Sequence, residues 1–226
     1  MSLEANVLAC GVVDQHGISG SRGITTTWEE LETEPPGTGR TLKAVFGKAD
    51  ATFRRIDLPA RALVLACEAA GVDQVLTEAQ RNDAAICVET DVGSLTTDVD
   101  FQLSLQDEVV HAGIFPYSLT STSLGEVALR YKLRGPTISM SVLEGAPGES
   151  LREALRMLAA EEVPYVIAGV ADAMREPAAG REACVRAVVA VLARPGEGPD
   201  GAGIGTLTWP EHGDATPFEQ IVRMCR

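Results

Sequence analysis

The residues of this chain whose types could do chemistry are three histidines, five cysteines, a hydroxyl-rich stretch and a glycine-rich one. His16, His111 and His212 could each ligate a metal. A zinc site needs a second His, Cys or carboxylate at ligand spacing, as in HExxH, and none of the three has one. They read as surface or loop histidines, and no metal is expected. Cys10, Cys67, Cys87, Cys184 and Cys225 could supply a thiolate, a zinc ribbon or disulfides. They are odd in number, far apart and without a CxxC pair, and most sit in apolar runs such as Val7-Leu8-Ala9-Cys10 and Ile86-Cys87-Val88. The expectation is buried small hydrophobes, with little support for a disulfide framework. Gly201-Ala202-Gly203-Ile204-Gly205 lacks the third glycine of the dinucleotide fingerprint and leads into a strand rather than a helix. A Walker loop and a GxSxG elbow are absent, and residues 118–123 are more simply the start of a helix than a nucleophile cluster. No cofactor is expected.

Any reactive group must be positioned by the surrounding elements. Residues 4–13 read as a first strand. Residues 18–40, rich in Gly, Ser, Thr and Pro around a short helical candidate at 28–31, read as a long functional or interfacial connection. Asp57 caps a helix with Pro59 in its first turn, Gly71 at its end and a stripe of Leu63, Ala66, Cys67 and Ala70. Residues 84–88 predict a buried strand, and 118–132 a helix with Leu124, Val127, Ala128 and Tyr131 on one side. Residues 137–142 predict a strand. An amphipathic helix follows over 149–161, opened by Pro147 or by the capping box Ser150-x-x-Glu153. Strands at 163–170, 184–192 and 204–209 complete the pattern. Alternating strands and helices predict an α/β fold with a mixed, mostly parallel sheet and helices on both faces, in a single domain over residues 1–226.

Composition narrows the partners. At 45% hydrophobic the 226 residues can build a core, which excludes a disordered or fibrous chain. With 32 acidic against 19 basic residues the net charge is −13, unsuited to nucleic acid or an anionic membrane surface. The longest apolar run, residues 187–193, is too short to span a bilayer, and the N-terminus lacks a signal peptide's pattern. A soluble cytoplasmic protein is expected.

The segment from Phe115-Pro116-Tyr117 through a helix, Leu133-Arg134-Gly135-Pro136, a strand, a loop, a helix and a strand ending Ala168-Gly169-Val170 resembles the N-terminal half of β-ketoacyl synthases of the thiolase fold. In that family a GLRGP turn leads into a strand that delivers the catalytic cysteine to a helix N-terminus, and an AGG strand follows. Leu8-Ala9-Cys10-Gly11-Val12-Val13 is similar to the family's opening GxGVV strand, and Phe53-Arg54-Arg55-Ile56-Asp57 to its R(R)MD helix entry. The resemblance covers most of the chain with motifs that are each short. It implies a thiolase-like half whose edge strand, 137–142, pairs across a two-fold axis. The implied partners are a second copy or a ketosynthase, with an acyl carrier protein as a further candidate.

The departures shape the expected function. Eight residues past Pro136 the family has its cysteine, and this chain has Glu144; the family's ACSS is Leu143-Glu144-Gly145-Ala146. A carboxylate at a helix N-terminus gains the same dipole as a thiolate but is a poor nucleophile towards thioesters. The family's two basic partners, from its C-terminal half, have no counterpart in a chain of about half the family's length. The resemblance therefore implies a non-catalytic, chain-length-factor-like subunit in fatty acid or polyketide/aryl-polyene-type biosynthesis. Phe115, Pro116, Ile138, Met140, Val142 and Glu144 would face an acyl pocket or the partner. Two alternatives stay open: a thioester decarboxylase or hydrolase using Glu144, and a stand-alone acyl-binding or scaffold module. Glu144 itself reads equally as functional or as a structural helix cap. Helix 149–161 carries Leu151, Ala154, Leu155 and Leu158 on one face and Arg152, Glu153 and Arg156 on the other, so the charged face must meet water or a polar partner.

Overall fold

Eleven residues of alternating and then continuous apolar character make β1 (Leu3–Val13), which lies inside the sheet because it is buried on both faces over most of its length. The computed structural model describes residues 3–106, 112–142, 147–197, 203–209 and 216–225. After β1 come β2 (Gly17–Gly20), β3 (Ile24–Thr27), α1 (Gly39–Phe46), α2 (Leu58–Ala70), α3 (Val72–Val75), α4 (Glu78–Asn82) and β4 (Ala84–Thr90). Then follow α5 (Leu95–Gln106), a 3-10 turn at Phe115–Ser118, α6 (Ser121–Tyr131), β5 (Thr137–Ser141) and α7 (Glu149–Ala159). The chain continues through β6 (Tyr165–Met174), β7 (Cys184–Ala193), β8 (Gly205–Trp209) and α8 (Pro217–Cys225). The eight strands form one sheet in the order β3-β2-β1-β7-β6-β4-β5, with β8 on the first half of β1.

Helices cover both faces. On one, α2 and α6 bury Leu63, Ala66, Leu124, Val127 and Tyr131 against Leu8, Ile86, Ile167 and Val189. On the other, α7 and α8 bury Leu151, Leu155, Leu158, Phe218 and Ile221 against Val7, Cys87, Ala168 and Ala190. Asp57 caps α2 by accepting from the Ala60 amide at 3.1 Å, Pro59 sits in the first turn, and Gly71 closes the helix at φ 66°. α2 lies so close to β1 that a Cβ at Gly11 would collide with the Ala66 carbonyl, which is why a glycine stands there.

Several expectations need correction. Only β5-β4-β6 is parallel; the five other pairings are antiparallel, because β1, β2, β3, β7 and β8 join through hairpin-like turns and closing strands. The stretch 18–40 is not a long loop: it holds β2, β3 and α1's start, and residues 28–31 make one turn rather than a helix. Cys10 and Cys225 are joined as a disulfide, with Cα atoms 5.8 Å apart, tying α8 to β1 across 215 residues. Spacing in sequence could not reveal that pairing, since only the packing of α8 on β1 brings the two together. Cys67 and Cys87 are buried small hydrophobes as expected.

Candidate functional site

The β-ketoacyl synthase resemblance places the chemistry where β4, β5 and β6 end and α7 begins. β4 reads Ala-Ala-Ile-Cys-Val-Glu-Thr and is wholly buried, so its run carries Glu89 into the interior. Glu89 is 0% exposed, and its two carboxylate oxygens accept the backbone N–H of Gly148 at 2.8 Å and of Ser150 at 2.7 Å. A carboxylate from a neighbouring strand thus caps α7, in place of Pro147 or a Ser150–Glu153 box. Gly148 holds the N-cap position with no side-chain cap of its own, and Ser150 instead donates its hydroxyl to the Gly169 carbonyl at 2.7 Å. The positive end of α7, which could stabilise an anionic nucleophile, is occupied from within.

The next turn is equally fixed. Asp172, 2% exposed on β6, accepts at one oxygen from Thr90 Oγ1 at 2.7 Å and from the amides of Asp91 and Val92 at 2.9 and 3.0 Å. Its other oxygen pairs with Arg186 at 2.9 Å, and Arg181 pairs with Asp91 at 2.8 Å. The Thr90 hydroxyl in turn accepts from the Gly93 amide at 2.7 Å. These bonds hold the path from β4 to α5, although Asp91 Oδ1 is buried there without a hydrogen-bond partner among the described residues.

Between these ends lies a cleft lined by Asp57, Glu89, Thr90, Tyr117, Leu119 and Ser139 among others, with about 10 Å³ available to the centre of a water. That is room for one water and not for an acyl chain. Burial raises the Asp57 carboxyl above the ordinary carboxylate range, against the hydrogen bonds from Ala60 and Thr97. Burial, then the hydrogen bond that Tyr117 donates to Glu126 at 2.7 Å, holds the tyrosine hydroxyl well above its usual range.

No activated thiol is present. Burial pushes the Cys87 thiol up to about 12, with Glu153 and Glu89 adding to the effect, and raises Cys67 further still. Cys184 is also raised, mainly by burial, while Cys10 and Cys225 are bonded to each other. A nucleophilic cysteine needs the opposite shift. His16 lies exposed beside Gln15 in the β1–β2 turn; His111 and His212 lie outside the described residues. Among the described residues no group of three His, Cys, Asp or Glu could hold a metal ion, and no helix is long and apolar enough to cross a membrane.

The residues singled out from the sequence fall in three places. Ile138 and Met140 lie on the α7 side of β5, packed against that core cluster, while Ser139 on the opposite side donates to Thr120 Oγ1 at 3.1 Å. Val142 follows β5 and donates its amide to the Thr90 carbonyl at 3.0 Å. Phe115 and Pro116 stand in the 3-10 turn before α6, Phe115 60% exposed with its ring 5.6 Å from Phe101. Glu144 lies outside the described residues. The sequence reading missed Glu89, Asp172 and Arg186. The available signal was an acidic residue at the end of each of two apolar strand runs, where a charge needs a buried partner.

Among the described residues β5 is the last strand of its edge: it pairs with β4 and with no strand beyond. Leu119, which lines the same cleft as Ser139 of β5, is 64% exposed, and Val99 and Leu103 of α5 and Phe115 of the 3-10 turn are 36%, 52% and 60% exposed. Only Thr97 and Ser104 of α5 are buried, so that helix turns much of its apolar surface outward.

No protein-family model and no curated protein matches this sequence. Solved structures do match in fold. The ishigamide ketosynthase/chain length factor superposes with a TM-score of 0.63 at 15% identity, over 84% of this chain and 62% of that one. A type II PKS acyl-carrier protein in complex with its ketosynthase bound to the hexaketide (AntDE:AntF) gives 0.61 at 16%, over 86% and 63%. The ketosynthase ApeO in complex with its chain length factor ApeC, from Xenorhabdus doucetiae, gives 0.53 at 18%, over 85% and 79%. The chain therefore has the thiolase-like fold of ketosynthases and chain length factors, and spans less than two thirds of the length of the first two.

Proposed function

We propose that this protein is a non-catalytic, chain-length-factor-like subunit that acts by pairing with a ketosynthase in polyketide, aryl-polyene-type or fatty acid assembly. The observation that carries the reading is the edge of β5, on which no strand among the described residues pairs, with Ile138 and Met140 half-buried on it, the exposed Leu119 sharing a cleft with Ser139, and Phe115 exposed in the preceding 3-10 turn. A bare edge strand without Lys or Pro invites pairing with another strand. β5 (Thr-Ile-Ser-Met-Ser) carries no such guard. Pairing through one patch on both sides suits a two-fold homodimer, or a pseudo-two-fold heterodimer with a ketosynthase of the same fold. The interface would be of the obligate class, about 2,000 Å² or more. Phe115, Pro116, Ile138, Met140, Val142 and Glu144 would face the partner or its acyl chain, and an acyl carrier protein would reach the assembled pair.

The absence of an activated thiol and the internal capping of α7 by Glu89 support a subunit without condensing activity. The deciding experiment is co-expression with a ketosynthase from the same genome, followed by affinity purification and light scattering. Stable co-purification, or a homodimer of twice the chain mass, agrees with the proposal; a monomer at tens of micromolar that ignores ketosynthases refutes it. Incubation with radiolabelled acyl and malonyl thioesters tests inactivity in parallel. Turnover of either would favour the decarboxylase or hydrolase reading through Glu144.

A further inference from the structure

α8 is held to the body of the protein differently from the other long helices of the core. α2, α6 and α7 are each tied by side-chain hydrogen bonds to neighbouring segments: Glu68 accepts from Lys48, Glu126 from Tyr117, and Glu89 from the amides at the start of α7. Among the described residues α8 has no such tie. Its polar bonds stay at its own start, where Thr216 and Glu219 satisfy each other's amides at 2.9 and 3.3 Å and Gln220 donates to the Thr216 carbonyl at 3.2 Å.

What fixes α8 is apolar packing and one covalent bond. Phe218, Ile221 and Cys225 turn inward to the cluster that holds Ala5, Val7, Cys10 and Leu207. Met224 lies against Gly205, 3.0 Å from where a Cβ would stand, and Pro217 and Trp209 close on Gly148, each 3.3 Å from the Cβ position there. α8 thus covers β8 and the first half of β1 and reaches the start of α7. At nine residues it is shorter than the about 12–15 residues that an isolated helix needs to persist in water. The Cys10–Cys225 bond fastens its last turn. Cys10 is 0% exposed and Cys225 6%, so Cys225 is the half that an outside thiol meets first. Burial keeps the three free thiols, Cys67, Cys87 and Cys184, protonated, and none of them competes for the bond.

We propose that the Cys10–Cys225 bond is a redox latch: a dithiol reductant opens it, and α8 then detaches from the β1–β8 face and from the start of α7. A thiolate of the reductant attacks Cys225 Sγ, the bond between the two sulfurs breaks, and Cys10 leaves as a thiolate that takes up a proton. The reductant's second thiolate then displaces Cys225 from the mixed disulfide. Two electrons and two protons pass from the dithiol to the two cysteines, and the reductant departs as its own disulfide. A disulfide oxidant reverses the exchange. The latch rests on the packing of α8 and stands or falls apart from the partner-subunit reading.

Dithiothreitol added to the folded full chain, followed by iodoacetamide, mass spectrometry and hydrogen exchange, tests it. The parent should release two thiols, and both Cys10 and Cys225 should become labelled, which for the fully buried Cys10 requires α8 to move aside. Exchange in residues 217–225 should speed up by about tenfold or more while β6 and β7 keep their protection, and oxidised glutathione should restore the slow rate. Cys225→Ser should exchange fast in α8 with and without dithiothreitol, whereas Cys184→Ser, which leaves the bond intact, should switch as the parent does. Four results overturn the proposal: a parent purified in air without the bond, a bond that dithiothreitol does not open in the folded protein, exchange in α8 that changes by less than about twofold after full reduction, or β6 and β7 loosening together with α8.

Discussion

Replacing Glu89 by Gln keeps the side chain's shape and removes its charge at the one point where β4 holds α7. In the parent both carboxylate oxygens accept, from Gly148 at 2.8 Å and Ser150 at 2.7 Å, in a site with no solvent exposure. The amide of glutamine keeps one acceptor and turns an NH₂ towards the second N–H, leaving a buried donor unpaired. Losing a hydrogen bond to a charged group costs about 1.5–3 kcal/mol. Losing the favourable charge at the helix N-terminus adds about 0.3–2 kcal/mol. The sum centres on about 3 kcal/mol, which for a chain of this size lowers the melting temperature by roughly 6–12 °C. Urea unfolding followed by circular dichroism reads the first figure and calorimetry the second. Hydrogen exchange adds a local check, since the Gly148 and Ser150 amides should lose protection before the sheet does. A Glu89→Gln protein within about 1 kcal/mol of the parent, with those amides still protected, would refute the idea that this carboxylate anchors α7.

Three further outcomes are expected. Leu155→Ala, at a fully buried position on α7, should cost about 2–5 kcal/mol, whereas Arg152→Ala/Arg156→Ala, on the exposed face with their Glu149, Glu153 and Glu162 partners, should leave the unfolding midpoint nearly unchanged in the same assay. Iodoacetamide on the folded protein at pH 8 should label Cys184 first and leave Cys67 and Cys87 unmodified by mass spectrometry, because both are buried and protonated, and unfolding without reductant should reveal three thiols. Because Asp57 has a raised folded pKa, the folded state takes up its proton before the unfolded chain does; stability from this group therefore grows as pH falls through the raised value and levels off below the unfolded value of about 3.9. Asp57→Asn, which still caps α2, should remove that slope from urea midpoints measured between about pH 3 and 7.

Sequence alone determined the elements whose signals are local. The helix from Asp57 to Gly71 was legible because a capping carboxylate, a first-turn proline and a left-handed glycine all act within a few residues. The faces of α7 were legible because a 3.6-residue period separates Leu151, Leu155 and Leu158 from Arg152 and Arg156 on any helix. The strands β1, β4, β6 and β7 announced themselves as apolar runs, and the thiolase-like half followed from their order with the Arg134-Gly135-Pro136 turn. Tertiary structure decided whatever depends on residues far apart. α5 escaped notice because it buries Thr97 and Ser104 and exposes Val99 and Leu103, so its pattern contains no inward apolar stripe. Strand direction and the Cys10–Cys225 bond are decided between segments, where sequence spacing carries no distance. The cap of α7 is the clearest case: a Glu 59 residues earlier satisfies its first amides, and only the packing of β4 beside that helix brings acceptor and donors together.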